Sequence, residues 1–419
     1  MKISKLRKIS FAITTLFIGT CICILVSEIG FRAVNLVSPF IAKYDLREIV
    51  HLYSAHPYLN HSITPNLDYV RPAHVQVNIP KYRIKTNHLG FRFDPLKFRH
   101  KEDNAFRIAV LGDSVIEGYQ KEYTLPYLLV KELEGILRPG KKIEAINFGV
   151  MSYSPLVHFV NLNRNVLRYK PDLVIVHFDM TDVFDDNVRY KDLTVWDKNG
   201  NPEAVNPGIA YNINLSGRTV SIFDLGKDLS ALRPVYSPYR LRIWLIEHSY
   251  CAKYIYFKTH SPDKILNVYF KELEKIYPGA AKERKRAYSN ILAWCTSYDR
   301  SEIEEQIEFS FDMLDRIRCF LAAHKTPLLV ITVPNRAHLK GKNEHSQWSR
   351  YPIERIESFC KDRKIPFHVP IKEFEAGLTD GKTLYFSDDM HPNYFGQQLW
   401  AKSLAAYISS DPLHCFHMD

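Results

Sequence analysis

A chain of 419 residues, 46% apolar and 24% charged, is long enough for one large domain or two modest ones and too apolar to be disordered. Its net charge of +10 gathers partly in Lys2, Lys5, Arg7 and Lys8 and partly in Lys282, Arg284, Lys285 and Arg286, but neither run is interleaved with stacking aromatics on a recognisable module, so nothing here points to nucleic acid. None of the seven cysteines forms a CxxC pair, and five, an odd number, lie beyond the N-terminal apolar stretch; this argues against a cysteine metal site and a complete disulfide framework, while one or two bridges stay open.

Residues 9–26 carry no charge, follow the four basic residues and precede Glu28 and Arg32. That length is near the lower limit of about 17 residues for a transmembrane helix, and the apolar residues 30–37 would lengthen it, with Arg32 snorkelling. The basic flank is expected in the cytoplasm, with everything after the helix outside, in the periplasm if the cell is Gram-negative. A cleaved signal peptide is the alternative, but no convincing A-x-A site follows, and Thr20 is a poor residue before Cys21 for a lipobox. Residues 1–40 are therefore read as cytoplasmic flank and anchor.

Residues 41–100 form a polar, proline-containing lead-in with one apolar alternation at 75–84. From 101 to the end the pattern is strand and helix in turn. Strands are expected at 106–111, 143–148, 173–178, 328–333 and 367–369, and helices at 123–137, 156–169, 301–323, 353–363 and 394–408. Strands separated by helices imply βαβ units and a parallel sheet. The pattern breaks at about 188–300, where turns at Asn199-Gly200 and Pro207-Gly208 and aromatic-rich stretches mark a mixed insertion.

Four elements carry candidate chemistry. Gly112-Asp113-Ser114 ends the first strand and opens a helix, which projects Ser114 from the carboxyl edge where open α/β sheets bind ligands. A serine hydroxyl needs a base to act as a nucleophile. Asp388-x-x-His391 lies just before the last helix; one acid there can orient the imidazole while its other nitrogen faces the serine. Gly149, after the second strand, allows a backbone N–H to enter the site. Thr181, after the third strand, offers a hydroxyl, although it or Asp182 equally suits a helix cap. Each element alone has an ordinary structural reading as a turn, a cap or a strand-end glycine. The acidic run Asp179, Asp182, Asp185, Asp186 has no histidine spaced to share a metal, so no metal and no cofactor is expected.

Taken in order, the four elements resemble the SGNH hydrolases, the GDSL esterase/lipase family. Gly112-Asp113-Ser114 is similar to its first block, Gly149 to its second and Asp388-x-x-His391 to its fifth. The stretches NHLGFR at 87–92, YKPDLVIV at 169–176 and HPNYFGQQLWA at 391–401 resemble its membrane-anchored bacterial members. The resemblance covers residues 87–186 and 384–408, not the anchor or the insertion. It implies a three-layer α/β/α fold with a central parallel, flavodoxin-like sheet and acyl-ester chemistry without metal. Ser114 would be the nucleophile, His391 the base and Asp388 its partner, with Ser114, Gly149 and Thr181 around the oxyanion. Thr181 departs from the family, which usually has Asn there; Asn187 belongs to a separate Asp-Asn and does not replace it. The expected partners are an acyl-ester substrate, such as an acylated glycan, and the membrane. Two other readings stay open: a polysaccharide O-acyltransferase with the same triad, and a scaffold that binds a glycan without turnover.

Overall fold

The structure is a computed structural model that describes residues 5–37, 53–71, 82–93, 97–98, 100–136, 142–206, 213–215, 218–220, 249, 251, 292–296, 301, 303–339, 350–386 and 390–410. Helix α1 (Lys5–Val37) contains the apolar stretch and is followed by two hairpins, β1 (Tyr53–His56) with β2 (Asn60–Ile63) and β3 (Asp68–Arg71) with β4 (Tyr82–Lys85). The expected alternation at 75–84 is met only at its end, by β4; residues 72–81 lie outside the described residues.

The α/β part begins with β5 (Ala105–Leu111), α2 (Ser114–Glu117), α3 (Leu125–Ile136), β6 (Lys142–Asn147), α4 (Pro155–Asn161), β7 (Leu173–His177) and the short helix α5 (Asp182–Phe184). In the stretch 188–300, expected to be an insertion, β8 (Thr194–Trp196) pairs with β9 (Pro202–Val205) around the expected Asn199-Gly200 turn; β10 (Ile213–Leu215), β11 (Arg218–Val220) and α6 (Ala293–Thr296) follow. The pattern resumes with α7 (Glu304–Ala323), β12 (Leu328–Ile331), α8 (Tyr351–Asp362), β13 (Phe367–His368), α9 (Ile371–Thr379) and α10 (Tyr394–Ser409).

Five strands form one sheet in the order β13-β12-β7-β5-β6, every pair parallel. Every residue of β5 and β7 is buried, as apolar runs covered on both faces require. On one face pack α3 and α10, through Leu125, Leu129, Leu133, Trp400, Leu404 and Ile408. On the other pack α4 and α7, through Leu156, Phe159, Ile307, Phe311 and Leu314. This is the three-layer α/β/α architecture the sequence predicts. The lead-in joins the second of these cores through Tyr58, Leu59, Ile63, Ile84, Phe91 and Phe93. The chain leaves β5 for β6 on one side and then crosses to β7 on the other. The carboxyl ends of β5 and β7 therefore flank a topological switch point, where open sheets hold their ligands.

Candidate active site

The turn after β5 presents the serine. Asp113 caps α2, its Oδ1 accepting from the Val115 N–H at 2.9 Å, and Ser114 is the first residue of the helix. The Ser114 Oγ lies 2.7 Å from His391 Nε2 although 277 residues separate them. His391 reaches this point from a loop pinned at both ends. Tyr385 bridges Pro392, the Phe386 N–H donates to the His391 carbonyl at 3.2 Å, and the Asn393 N–H donates to Leu384 O at 2.9 Å. Asn393 also caps α10, accepting from the Gly396 N–H at 3.1 Å. A side chain at Gly396 would place its Cβ 2.2 Å from Leu384 O, so this junction demands glycine. Asp388 lies outside the described residues.

Gly149 packs against the serine turn: a Cβ there would come 2.4 Å from the Glu117 nitrogen. Its N–H, however, donates to Asn147 Oδ1 at 2.8 Å, and Asn147 Nδ2 donates to Ile116 O at 2.8 Å. The next two amides are also engaged, Val150 with Gly112 O at 3.1 Å and Met151 with Glu117 Oε2 at 2.8 Å. The β6 loop is thus stitched to the serine turn. Thr181 is half-buried and makes no side-chain cap on α5; its N–H and hydroxyl both donate to Asp179 Oδ2, at 3.0 and 2.7 Å.

Several residues around the site were not singled out from sequence. Arg92, the last residue of NHLGFR, is buried and donates to the carbonyls of Glu117 and Gly118, at 2.9 and 2.6 Å, and to that of Tyr119. It therefore fixes the end of α2, while Asn87 shapes the preceding turn by accepting from the Leu89 and Phe91 amides at 2.8 and 3.1 Å. The Tyr119 ring lies edge-on to His391 at 6.0 Å and to Phe386 at 4.8 Å. From the lead-in, the Tyr53 hydroxyl reaches Glu117 at 2.9 Å.

Beneath the serine, His177 Nδ1 lies 3.3 Å from Asp113 Oδ1, both fully enclosed. Burial alone would raise the Asp113 carboxyl, but bonding to His177 and the nearby imidazoles hold it below its ordinary value. Burial, with Asp113 beside it, raises Asp179; burial with Asp179 and Asp113 raises Asp182 much further. Asp113, His177 and Asp179 each offer one donor atom, all within 4.8 Å of one another, so this trio could hold a cation. The expectation that the acidic run lacks a histidine needs correcting. His177 is two residues upstream of Asp179, and its position at a strand end turns it into the same pocket.

Burial also pushes Asp185 and Asp186 up to about 7 from 3.8. Between those values the folded chain keeps a proton that the unfolded chain releases, so each carboxyl costs stability as pH rises from about 4 to 7. The buried His61, lowered to about 4, acts oppositely, costing stability as pH falls below 6.5. Asp186→Asn should therefore gain stability relative to wild type on going from pH 5 to 8, by about 1–3 kcal/mol. Urea unfolding at both pH values checks this, because the histidine contributions cancel in the difference; equal differences at both would refute it.

No family model matches the chain, and no curated protein matches it. Solved structures do match. A GDSL-like lipase from Bacteroides thetaiotaomicron is 11% identical, the match covering 74% of this chain and 91% of that one, with a TM-score of 0.32. An acetyl xylan esterase is 10% identical over 72% of this chain and all of its own (100%), with a TM-score of 0.36. A two-domain esterase active on acetylated mannans is 12% identical over 73% of this chain but only 49% of its own, with a TM-score of 0.33, so the chain spans about half that protein's length. In chain order Ser114, Gly149 and Thr181 follow β5, β6 and β7 of one parallel sheet, and His391 precedes α10.

Proposed function

We propose that the protein is an SGNH-type ester hydrolase that works through an acyl-serine intermediate. The observation that carries this reading is the 2.7 Å approach of Ser114 Oγ to His391 Nε2 at the carboxyl edge of the sheet. Ser114 attacks the ester carbonyl as His391 takes its proton. The tetrahedral intermediate collapses, the C–O bond breaks, and His391 returns the proton to the leaving alcohol. Water, deprotonated by His391, then releases the acid and Ser114. Asp388 orients His391. The Ser114 N–H, Gly149 N–H and Thr181 hydroxyl hold the oxyanion; for Gly149 this requires its bond to Asn147 to open when substrate binds.

The substrate proposed is an acyl ester of an envelope or extracellular glycan or lipid, because α1 contains one stretch, Phe11–Ala33, long and apolar enough to cross a membrane, with a basic flank before it. Alkaline phosphatase fused after Asp103 is expected to be active; an inactive fusion, with a cytoplasmic reporter active at the same point, would reverse this topology. An O-acyltransferase would use the same residues, the acceptor being a sugar hydroxyl instead of water. Incubating the full chain with a fluorophosphonate tests the shared chemistry: wild type should be labelled on Ser114, and Ser114→Ala should not. An unlabelled wild type would leave the non-catalytic scaffold as the better reading. Turnover of acetylated glycans with and without a sugar acceptor then separates hydrolase from transferase.

A further inference from the structure

Among the described side chains of α1, the apolar window within Phe11–Ala33 is 0% buried. Two positions one turn apart, Glu28 and Phe31, are partly covered. Two of the groups bonded to Glu28 belong to residues 249 and 251. The Ser249 hydroxyl donates to Glu28 Oε2 at 2.8 Å, and the Cys251 N–H donates to the same oxygen at 3.0 Å, across 221 and 223 residues of chain. Arg32 Nε donates to Oε1 at 2.8 Å, and the Glu28 side chain is left 17% exposed. A carboxylate within an apolar span is costly unless it is paired and hydrogen-bonded, and here Ser249 and Cys251 supply two of its donors.

The sequence around these donors has the composition of a membrane interface. Residues 241–258 include Trp244, Tyr250, Tyr254, Tyr256 and Phe257 together with Arg242, Lys253 and Lys258. Aromatic rings concentrate where headgroups meet acyl chains, and basic side chains favour anionic lipid. With the basic flank of α1 on the inner side, Glu28 falls at the outer end of the span. We infer a second membrane contact at Ser249 and Cys251: these two residues dock on the Glu28 face of α1 and lie in the outer interfacial layer of the bilayer. The inference rests on α1 being a membrane anchor. Its consequence is that the hydrolase domain is tied to the lipid surface at two points, the anchor and the contact at Ser249 and Cys251.

The chain's own cysteines supply the test. In full-length protein reconstituted into vesicles containing anionic lipid, a polarity-sensitive fluorophore is attached at Cys21, Cys251 or Cys319 alone, the other accessible cysteines and Cys415 being serine. Cys319, exposed on α7, reports the aqueous side. Expected are quenching of the Cys21 label by acyl-chain nitroxides and quenching of the Cys251 label by headgroup nitroxides roughly two-fold or more above that at Cys319. Glu28→Ala should reduce the Cys251 quenching by a similar factor. If Cys21 is lipid-quenched while Cys251 behaves like Cys319, the inference is overturned and the anchor stands. If Cys251 is quenched equally with and without Glu28, docking on α1 is overturned. If Cys21 is open to aqueous iodide, the anchor reading itself fails.

Discussion

Ser114→Ala is expected to lower kcat for a short acyl ester by about 10⁴–10⁶-fold, and adding His391→Ala to it is expected to change nothing further. The reason is the single contact between them. A serine hydroxyl is a weak nucleophile at neutral pH, and the imidazole nitrogen 2.7 Å from its oxygen is the group placed to remove its proton. Once either partner is gone, the other has no role in the covalent step, so the losses overlap instead of adding. Asp388→Ala should be milder by about one to two orders of magnitude, because an unoriented imidazole still accepts a proton part of the time. Neither replacement removes a backbone bond that shapes the site. Asp113, not Ser114, caps α2, and it is the His391 carbonyl that accepts from Phe386. Melting curves of the variants should therefore stay close to wild type while steady-state kinetics collapse. A Ser114→Ala protein with wild-type turnover, or a double mutant about 10²-fold worse than both single mutants, would sink the proposed mechanism.

Much of this arrangement is legible in the sequence, and the reasons are local. Strands such as β5 and β7 are short apolar runs ended by turn residues, and a strand buried on both faces has to look that way. The Gly-Asp-Ser turn and the loop before α10 each announce themselves as strand-to-helix or loop-to-helix junctions. Helix α9 is not legible, because Ile371–Thr379 follows a proline after the two-residue strand β13, leaving too short a window for a clear helical period. The pairing of His177 with Asp113 was also illegible. It depends on β5 and β7 being neighbours in the register Leu111↔Val176, which brings two residues 64 apart to one edge. Bonding choices made by side chains are harder still. Nothing in Asn147-Phe148-Gly149 says that the amide oxygen of the first will take the N–H of the third, or that Asp179 will take both donors of Thr181. At 188–300 the turns are readable, but the contacts of the described residues are made to distant segments, as when the Val205 N–H donates to Tyr58 O and the Trp294 indole donates to Met180 O.

Thr181 is where the chain leaves its resemblance to the GDSL family, and the structure sharpens the expected result there. A hydroxyl carries one hydrogen, and in the resting site the Thr181 hydrogen is donated to Asp179 Oδ2 at 2.7 Å. To serve an oxyanion it must turn away, or Asp179, raised by its burial and by Asp113, must hold a proton and become the donor in that bond. Thr181→Val keeps the shape and removes the hydrogen, so kcat is expected to fall by about 10²-fold with KM nearly unchanged, because the oxyanion charge develops only near the transition state. Thr181→Asn should act in the opposite sense. The amide nitrogen carries two hydrogens, one for Asp179 and one for the oxyanion, so kcat should rise by roughly 10-fold, below the full value of a donor in a site shaped for it. Thr181→Ser, which retains the hydroxyl, should stay close to wild type. Steady-state kinetics of the three variants on one short ester decide the matter. If valine costs nothing and asparagine gives nothing, Thr181 serves only to tie its loop to Asp179, and the oxyanion donor beside the Ser114 amide is another group, such as Gly149 once released from Asn147.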